Sequence, residues 1–156
     1  YDDKGKIAAS GKLNLDLFCH LQSLEYYKLK SPKSLGVEWV NAIIIPVLKE
    51  YSGLSVIDLL HTFSNHFAEQ ISDNIDTNSK VLITGGGAYN DYLIQRIKDL
   101  TDCKINIPDS TIIEYKEALI FGFLGVLRDL NINNCYSSVT GAKKDHCSGK
   151  IFIPKI

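Results

Sequence analysis

Three adjacent glycines stand where an apolar run gives way to a helical pattern, in VLITGGGAYNDYLI, residues 81–94. Val81, Leu82 and Ile83 suit a buried strand, and Leu93, Ile94, Ile97 and Leu100 recur at helical spacing, so the glycines occupy a strand-to-helix turn. Glycine reaches positive φ without steric cost and lets another molecule approach the backbone where a Cβ would otherwise stand. With a helix beginning near Asn90, its first N–H groups face the loop and suit a phosphate, a ribose or another polar group. The turn is not GxGxxG, because Ala88, Tyr89 and Asn90 follow, and no GKS or GKT marks a P-loop. On the residues alone the triplet reads either as a nucleotide contact or as a tight turn that packs helix on sheet. Asn90 likewise reads as a ligand contact or as a helix cap.

Around this turn the periodicity predicts an alternation of helices and strands. Leu13, Leu17, Leu21 and Leu24 define a first helix with Asn14 as its cap. Pro32 and Gly36 make residues 27–36 a loop, followed by an irregular apolar segment to Ile45 that Pro46 breaks or restarts. Ile57, Leu60, Phe63, Phe67, Ile71 and Ile75 form the stripe of a longer helix, capped by Ser55 with Asp58 in the first turn. Residues 80–84 and 104–107 read as strands. Over residues 114–130 the apolar positions run almost all round a helix, which predicts deep packing, and Ile151, Phe152 and Ile153 read as a terminal strand before Pro154. The order predicts an α/β protein forming a single domain over residues 1–156. Two strands are too few for an independent α/β layer, so the sheet is expected to be incomplete within this chain.

Charge and cysteine usage narrow the partners. Seventeen Lys and Arg against eighteen Asp and Glu give a net charge of −1, which provides no global field toward nucleic acid or an anionic membrane. No apolar run reaches the roughly 18 residues of a membrane span, and the first residues lack a signal peptide's apolar segment. Cys19, Cys103, Cys135 and Cys147 form no CxxC pair, so free thiols in the cytoplasm are expected and no metal site is assigned. His61 and His66 lie five apart, on different helix faces, and read as surface or boundary residues.

VLITGGGAYNDYLIQRI resembles the adenosine-binding segment of the sugar kinase, heat-shock protein and actin superfamily. In order along the chain, DKGKIAASGKLNLDLFCHLQSLEYYKLKSPKSLGVEW, EALIFGFLGVLR and SSVTGA are similar to the C-terminal half of anhydro-N-acetylmuramic acid kinase. The resemblance implies the C-terminal lobe of an actin-like ATPase, or ribonuclease H-like, fold within a two-lobe kinase. It implies use of ATP with Mg2+ to open the anhydro bridge of the cell-wall sugar and yield N-acetylmuramic acid 6-phosphate. Gly85, Gly86, Gly87 and Asn90 would line the adenosine side of the cleft, and Glu117 would position water and sugar. The phosphate loop and the catalytic aspartate are absent from this sequence and are expected upstream, so the chain alone is expected to be inactive. The implied partners are the amino sugar, ATP, the N-terminal lobe and a second copy in a homodimer.

Glu117 also reads as a first-turn acid favoured by the helix dipole, and Lys33 either as a solvated lysine or as a contact for a sugar carboxylate or phosphate. Leu35 and Val37 stand where the family resemblance leads one to expect Thr and Arg, which removes the ionic contact that Arg would supply. The alternative to a kinase lobe is a non-catalytic nucleotide-binding or oligomerisation module of the same fold.

Overall fold

The computed structural model describes residues 1–30 and 33–153, in two compact units, Tyr1–Pro108 and Asp109–Ile156. Pro32 and Pro154, expected to punctuate the chain, lie outside the described residues.

In the first unit a 3-10 turn (Asp3–Gly5) leads into α1 (Lys6–Ala9), α2 (Leu15–Gln22) and α3 (Glu25–Lys28). Asn14 caps α2 by accepting the Leu17 N–H at 2.9 Å, and the helical spacing delivers Leu17 and Leu21 to full burial. The expected irregular segment before Pro46 is instead helical: α4 (Val37–Trp39), a π turn (Val40–Ile44) and α5 (Ile45–Glu50) run on without a break. Proline has no N–H, and its ring collides with the carbonyl four residues back in a regular helix. The wider π turn just before Pro46 accommodates both facts, and the ring then sits in the first turn of α5, where its lost donor matters least. Ile44 and Val47, carried on this segment, close a core with Leu17 and Leu21.

Ser55 caps α6 (Val56–Ser72) through the Asp58 N–H at 3.1 Å. The buried face differs from the expected stripe. Ile57 and Phe67 are exposed, whereas Thr62, Asn65, His66 and Ala68 are buried against the neighbouring helices. Polar residues can occupy that face because each is hydrogen-bonded: Thr62 Oγ1 accepts the Asn14 N–H at 3.0 Å, and Asn65 donates to Tyr92 and accepts from Arg96. His66, expected near the surface, is fully buried.

β1 (Lys80–Leu82), a 3-10 turn (Gly86–Tyr89), α7 (Asp91–Leu100) and β2 (Lys104–Asn106) form a βαβ unit. The strands pair in parallel, Val81 opposite Ile105, and are the two strands of the sheet among the described residues. The α/β reading therefore holds in its coarse form, with a small parallel sheet and helices as the bulk of the chain.

The second unit holds α8 (Ser110–Asp129) and α9 (Ser137–Thr140). Asp109 caps α8 by accepting the Ile112 N–H at 3.2 Å. Deep packing of α8 is not found: Leu119, Phe121 and Phe123 are 62%, 71% and 60% exposed. An apolar periphery reports that a helix requires a cover, and among the described residues this unit contains no sheet to provide one. Residues 151–153 are exposed and form no strand, since no neighbouring strand offers them a ladder. The tail is pinned at Asn134, which donates to the Leu124 and Ser148 carbonyls and accepts the Ser148 N–H at 2.7 Å. Asn134→Ala is expected to raise the hydrogen-exchange rate of the Ser148 amide several-fold while leaving amides in the middle of α8 unchanged. Among the described residues no helix is long and apolar enough to cross a membrane.

Candidate functional site

The glycine turn lies at the C-terminal end of β1. Ile83 extends the pairing by one bond, its N–H donating to the Asn106 carbonyl at 3.0 Å, and the chain then leaves the sheet at Gly85. Gly85 has φ 82° and ψ 177°, a region essentially closed to any residue with a Cβ. This angle redirects the backbone into the 3-10 turn, closed by Ala88 N–H to the Gly85 carbonyl at 3.0 Å and anchored by buried Ala88. At Gly86 and Gly87 the reason for glycine is different, because a Cβ at either would meet no atom within 4 Å. Their missing side chains are not demanded by packing, so the backbone stays open to an approaching molecule.

Asn90 is the N-cap of α7, its Oδ1 accepting the Leu93 N–H at 3.0 Å. One of the first amides of α7 is thereby closed, and the carboxamide is held from behind: a Cβ on Gly5, itself left-handed at φ 74°, would strike Asn90 Oδ1. Gly86, Gly87 and Asn90 line one recess of about 170 Å³ together with Tyr1, Asp2, Lys4 and Tyr89. Lys4 places its ammonium 3.7 Å from the Asp91 carboxylate. The first residues of the chain thus flank the turn, which periodicity gave no means of seeing. The short DKGK run, with its left-handed Gly5, is the signal that could have pointed to it. Small-molecule sites usually enclose roughly 300–1,000 Å³, so this recess is smaller than a complete site of that kind.

Glu117 belongs to the second unit, in the interior of α8, and its side chain is exposed. The helix begins at Ser110, so Glu117 is not in its first turn and the dipole reading falls away. Gly86, Gly87 and Asn90 are brought together around one recess, Gly85 does not line it but precedes the turn as its N-cap, and Glu117 belongs to the second unit. Lys33 is not simply solvated: its ammonium donates to the Tyr26 and Tyr27 carbonyls at 3.2 and 3.4 Å and lies 4.8 Å above the Tyr26 ring. Cys135 and His146 face each other in an antiparallel bridge, but the side chains of His146, Cys135 and Cys147 take different partners, Lys144, Thr140 and Arg128 respectively, and no group of three or more metal-ligating residues exists among the described residues.

Residues 1–154 match the profile of the anhydro-N-acetylmuramic acid kinase family. Curated relatives bearing that name include those of Hydrogenovibrio crunogenus, 30% identical over 99% of this chain and 44% of the relative, and Rhodococcus erythropolis, 31% identical over 97% and 40%. A third, from Clostridioides difficile, is 33% identical over 97% of this chain and 42% of its own length. The chain therefore spans about two fifths of the length of the curated relatives it matches. These matches give that share of length and do not support the C-terminal placement implied by the motif resemblance. With the match extending across the strand, the open turn and α8 alike, the chain belongs to the anhydro-N-acetylmuramic acid kinase family.

Proposed function

We propose that the complete protein is an ATP-dependent kinase that opens the anhydro bridge of 1,6-anhydro-N-acetylmuramic acid and phosphorylates the sugar, and that this chain supplies one wall of its nucleotide cleft. The observation that carries the reading is the pair of glycines whose absent side chains no packing explains, set at a strand end before a helix N-terminus. Gly86 and Gly87 give the adenosine part of ATP direct access to backbone, and Asn90 fixes the position of the turn by capping α7 behind it. The actin-like fold, a phosphate loop and a base-bearing segment contributed by the rest of the polypeptide, magnesium carried with the nucleotide, pairing with a second copy and a cytoplasmic setting all belong to this proposal.

Phosphoryl transfer needs ATP, metal and acceptor held together and a nucleophile oriented, so this chain by itself is expected to turn over no sugar. In that scheme Glu117 orients the attacking water and the sugar hydroxyl by accepting their hydrogen bonds. The test is phosphorylation of anhydro-sugar by the complete protein, compared with ordinary hexoses. Glu117→Gln is expected to lower kcat at least tenfold and leave the KM for ATP near its original value, because an exposed side chain can be exchanged without disturbing the fold. Equal kcat in the two proteins removes Glu117 from the reaction. ATP binding without any sugar turnover in the complete protein points to the non-catalytic module instead.

A further inference from the structure

The second unit contains a recess of about 540 Å³, none of whose lining residues belongs to the glycine turn. Its size falls within the range of small-molecule sites. Phe121, Leu124 and Ile151 give it apolar walls, Arg128 and Lys150 bring positive charge, and none of the described residues lining it is acidic. Gly125 adds bare helix backbone to the wall. Glycine in a helix interior is less stable than alanine, and a Cβ at this position would meet no atom within 4 Å, so packing does not call for it.

Arg128 is oriented before any ligand arrives. Its Nε donates to the Gly149 carbonyl at 2.8 Å and its Nη1 to Cys147 Sγ at 3.7 Å. The stem of the side chain lies close against Gly149, where a Cβ would come 3.5 Å from Arg128 Cγ. The backbone that receives Nε is itself held, since Asn134 bonds both the N–H and the carbonyl of Ser148. Nη2 of this planar fork is left to meet an anion, at little further ordering cost. Lys150, its ammonium 4.8 Å from the centre of the Phe152 ring, adds a second charge. A small hydrophilic anion would satisfy the charges and leave Phe121 and Ile151, 71% and 49% exposed, in water. A hydrocarbon body laid along those walls removes that apolar surface as well.

We propose that this recess binds an amphiphilic anion, a hydrocarbon chain ending in a carboxylate or a phosphate. The proposal does not rest on the nucleotide reading, since it uses no residue of that site. Titration calorimetry on the complete protein, below micelle-forming concentrations, tests it with decanoate, decyl phosphate, decanol, acetate and inorganic phosphate. Decanoate or decyl phosphate is expected to bind once per chain and at least tenfold more tightly than decanol or either small anion, and the tighter of the two identifies the head group. Arg128→Gln is expected to weaken that binding at least tenfold. Gly125→Leu is expected to abolish it while raising the melting temperature, because the new side chain fills the recess and replaces glycine within a helix. This second variant keeps the test decisive if Arg128→Gln loosens the tail. Decanol or a small anion binding as tightly as both amphiphilic anions overturns the proposal, as does binding that survives either substitution or that takes several molecules per chain. Absence of binding overturns it as well, because the recess would then be closed in the complete protein.

Discussion

Acidification from pH 7 to pH 4 is expected to cost the folded chain about 3 kcal/mol through His66 alone, more than a hundredfold in the folding equilibrium. The imidazole is fully buried in α6, and burial penalises its charged form, holding its pKa down to about 4 against the ordinary 6.5. Its tautomer follows from its neighbours. Gln22 Nε2 donates to the Glu69 carboxylate at 2.6 Å, so Gln22 Oε1 is the atom 3.2 Å from His66 Nδ1 and accepts a hydrogen bond from its N–H. His66 Nε2 then accepts from the Tyr27 hydroxyl at 3.0 Å, and burial raises the Tyr27 pKa, which keeps that hydroxyl protonated. A second proton on the ring would place a charge in that buried setting, and the cost of desolvating it is what holds the pKa down.

Below pH 6.5 the unfolded chain takes up a proton that the folded chain refuses, so stability falls as pH drops toward about 4 and this contribution levels off beneath it. The Asp58 carboxylate acts lower on the scale. The Lys12 N–H and the Ser55 hydroxyl hold its pKa below 3.8, so its contribution is lost only as pH falls beneath the ordinary carboxylate range. Urea midpoints followed by the fluorescence of Trp39, the chain's single tryptophan, provide the measurement. His66→Gln is expected to be less stable at pH 7 yet to lose the slope between pH 6.5 and 4, and an unchanged slope would falsify the assignment.

Gly86→Val in the complete protein is expected to weaken ATP binding about a hundredfold, equivalent to about 2.7 kcal/mol, with little change in melting temperature. A Cβ there would meet no atom within 4 Å, so the fold has space for it, whereas in the proposed cleft it would stand where the nucleotide approaches. Gly85→Ala is the contrasting variant. At φ 82° and ψ 177° a Cβ strains the backbone by about 1–3 kcal/mol, so this change lowers the melting temperature whether or not a ligand is bound. If Gly86→Val keeps full ATP affinity, the open turn is not a nucleotide wall. If it unfolds the protein instead, the turn was glycine-rich for packing.

The helices were legible wherever apolar spacing and a capping side chain agreed, as for Asn14 with α2, Ser55 with α6 and the run from Asn90 through Leu100. The strand-turn-helix at the glycines was legible for the same reason: an apolar run, a break and a period change lie side by side. What failed was context beyond a few residues. His66 looked like a boundary residue because its acceptor and donor, Gln22 and Tyr27, lie 44 and 39 positions away in sequence. For Pro46 the sequence left open a break or a restart, because periodicity alone does not reveal that a π turn can receive the ring in the first turn of α5. The all-round apolar pattern of α8 predicted deep packing that the described residues do not show, because a pattern reports apolar surface and not whether anything in the same chain covers it. In the candidate site, glycine identity was readable, whereas the buttressing of Asn90 by Gly5 required the tertiary structure.

The three-residue strands have a consequence for the life of this polypeptide in a cell. A lone parallel pair exposes unsatisfied hydrogen-bonding edges along both margins, and such edges recruit other extended chains as readily as their proper neighbours. A chain leaving the ribosome with those margins uncovered would be a client for chaperones. A strand or a covering segment laid along either margin would remove that hazard.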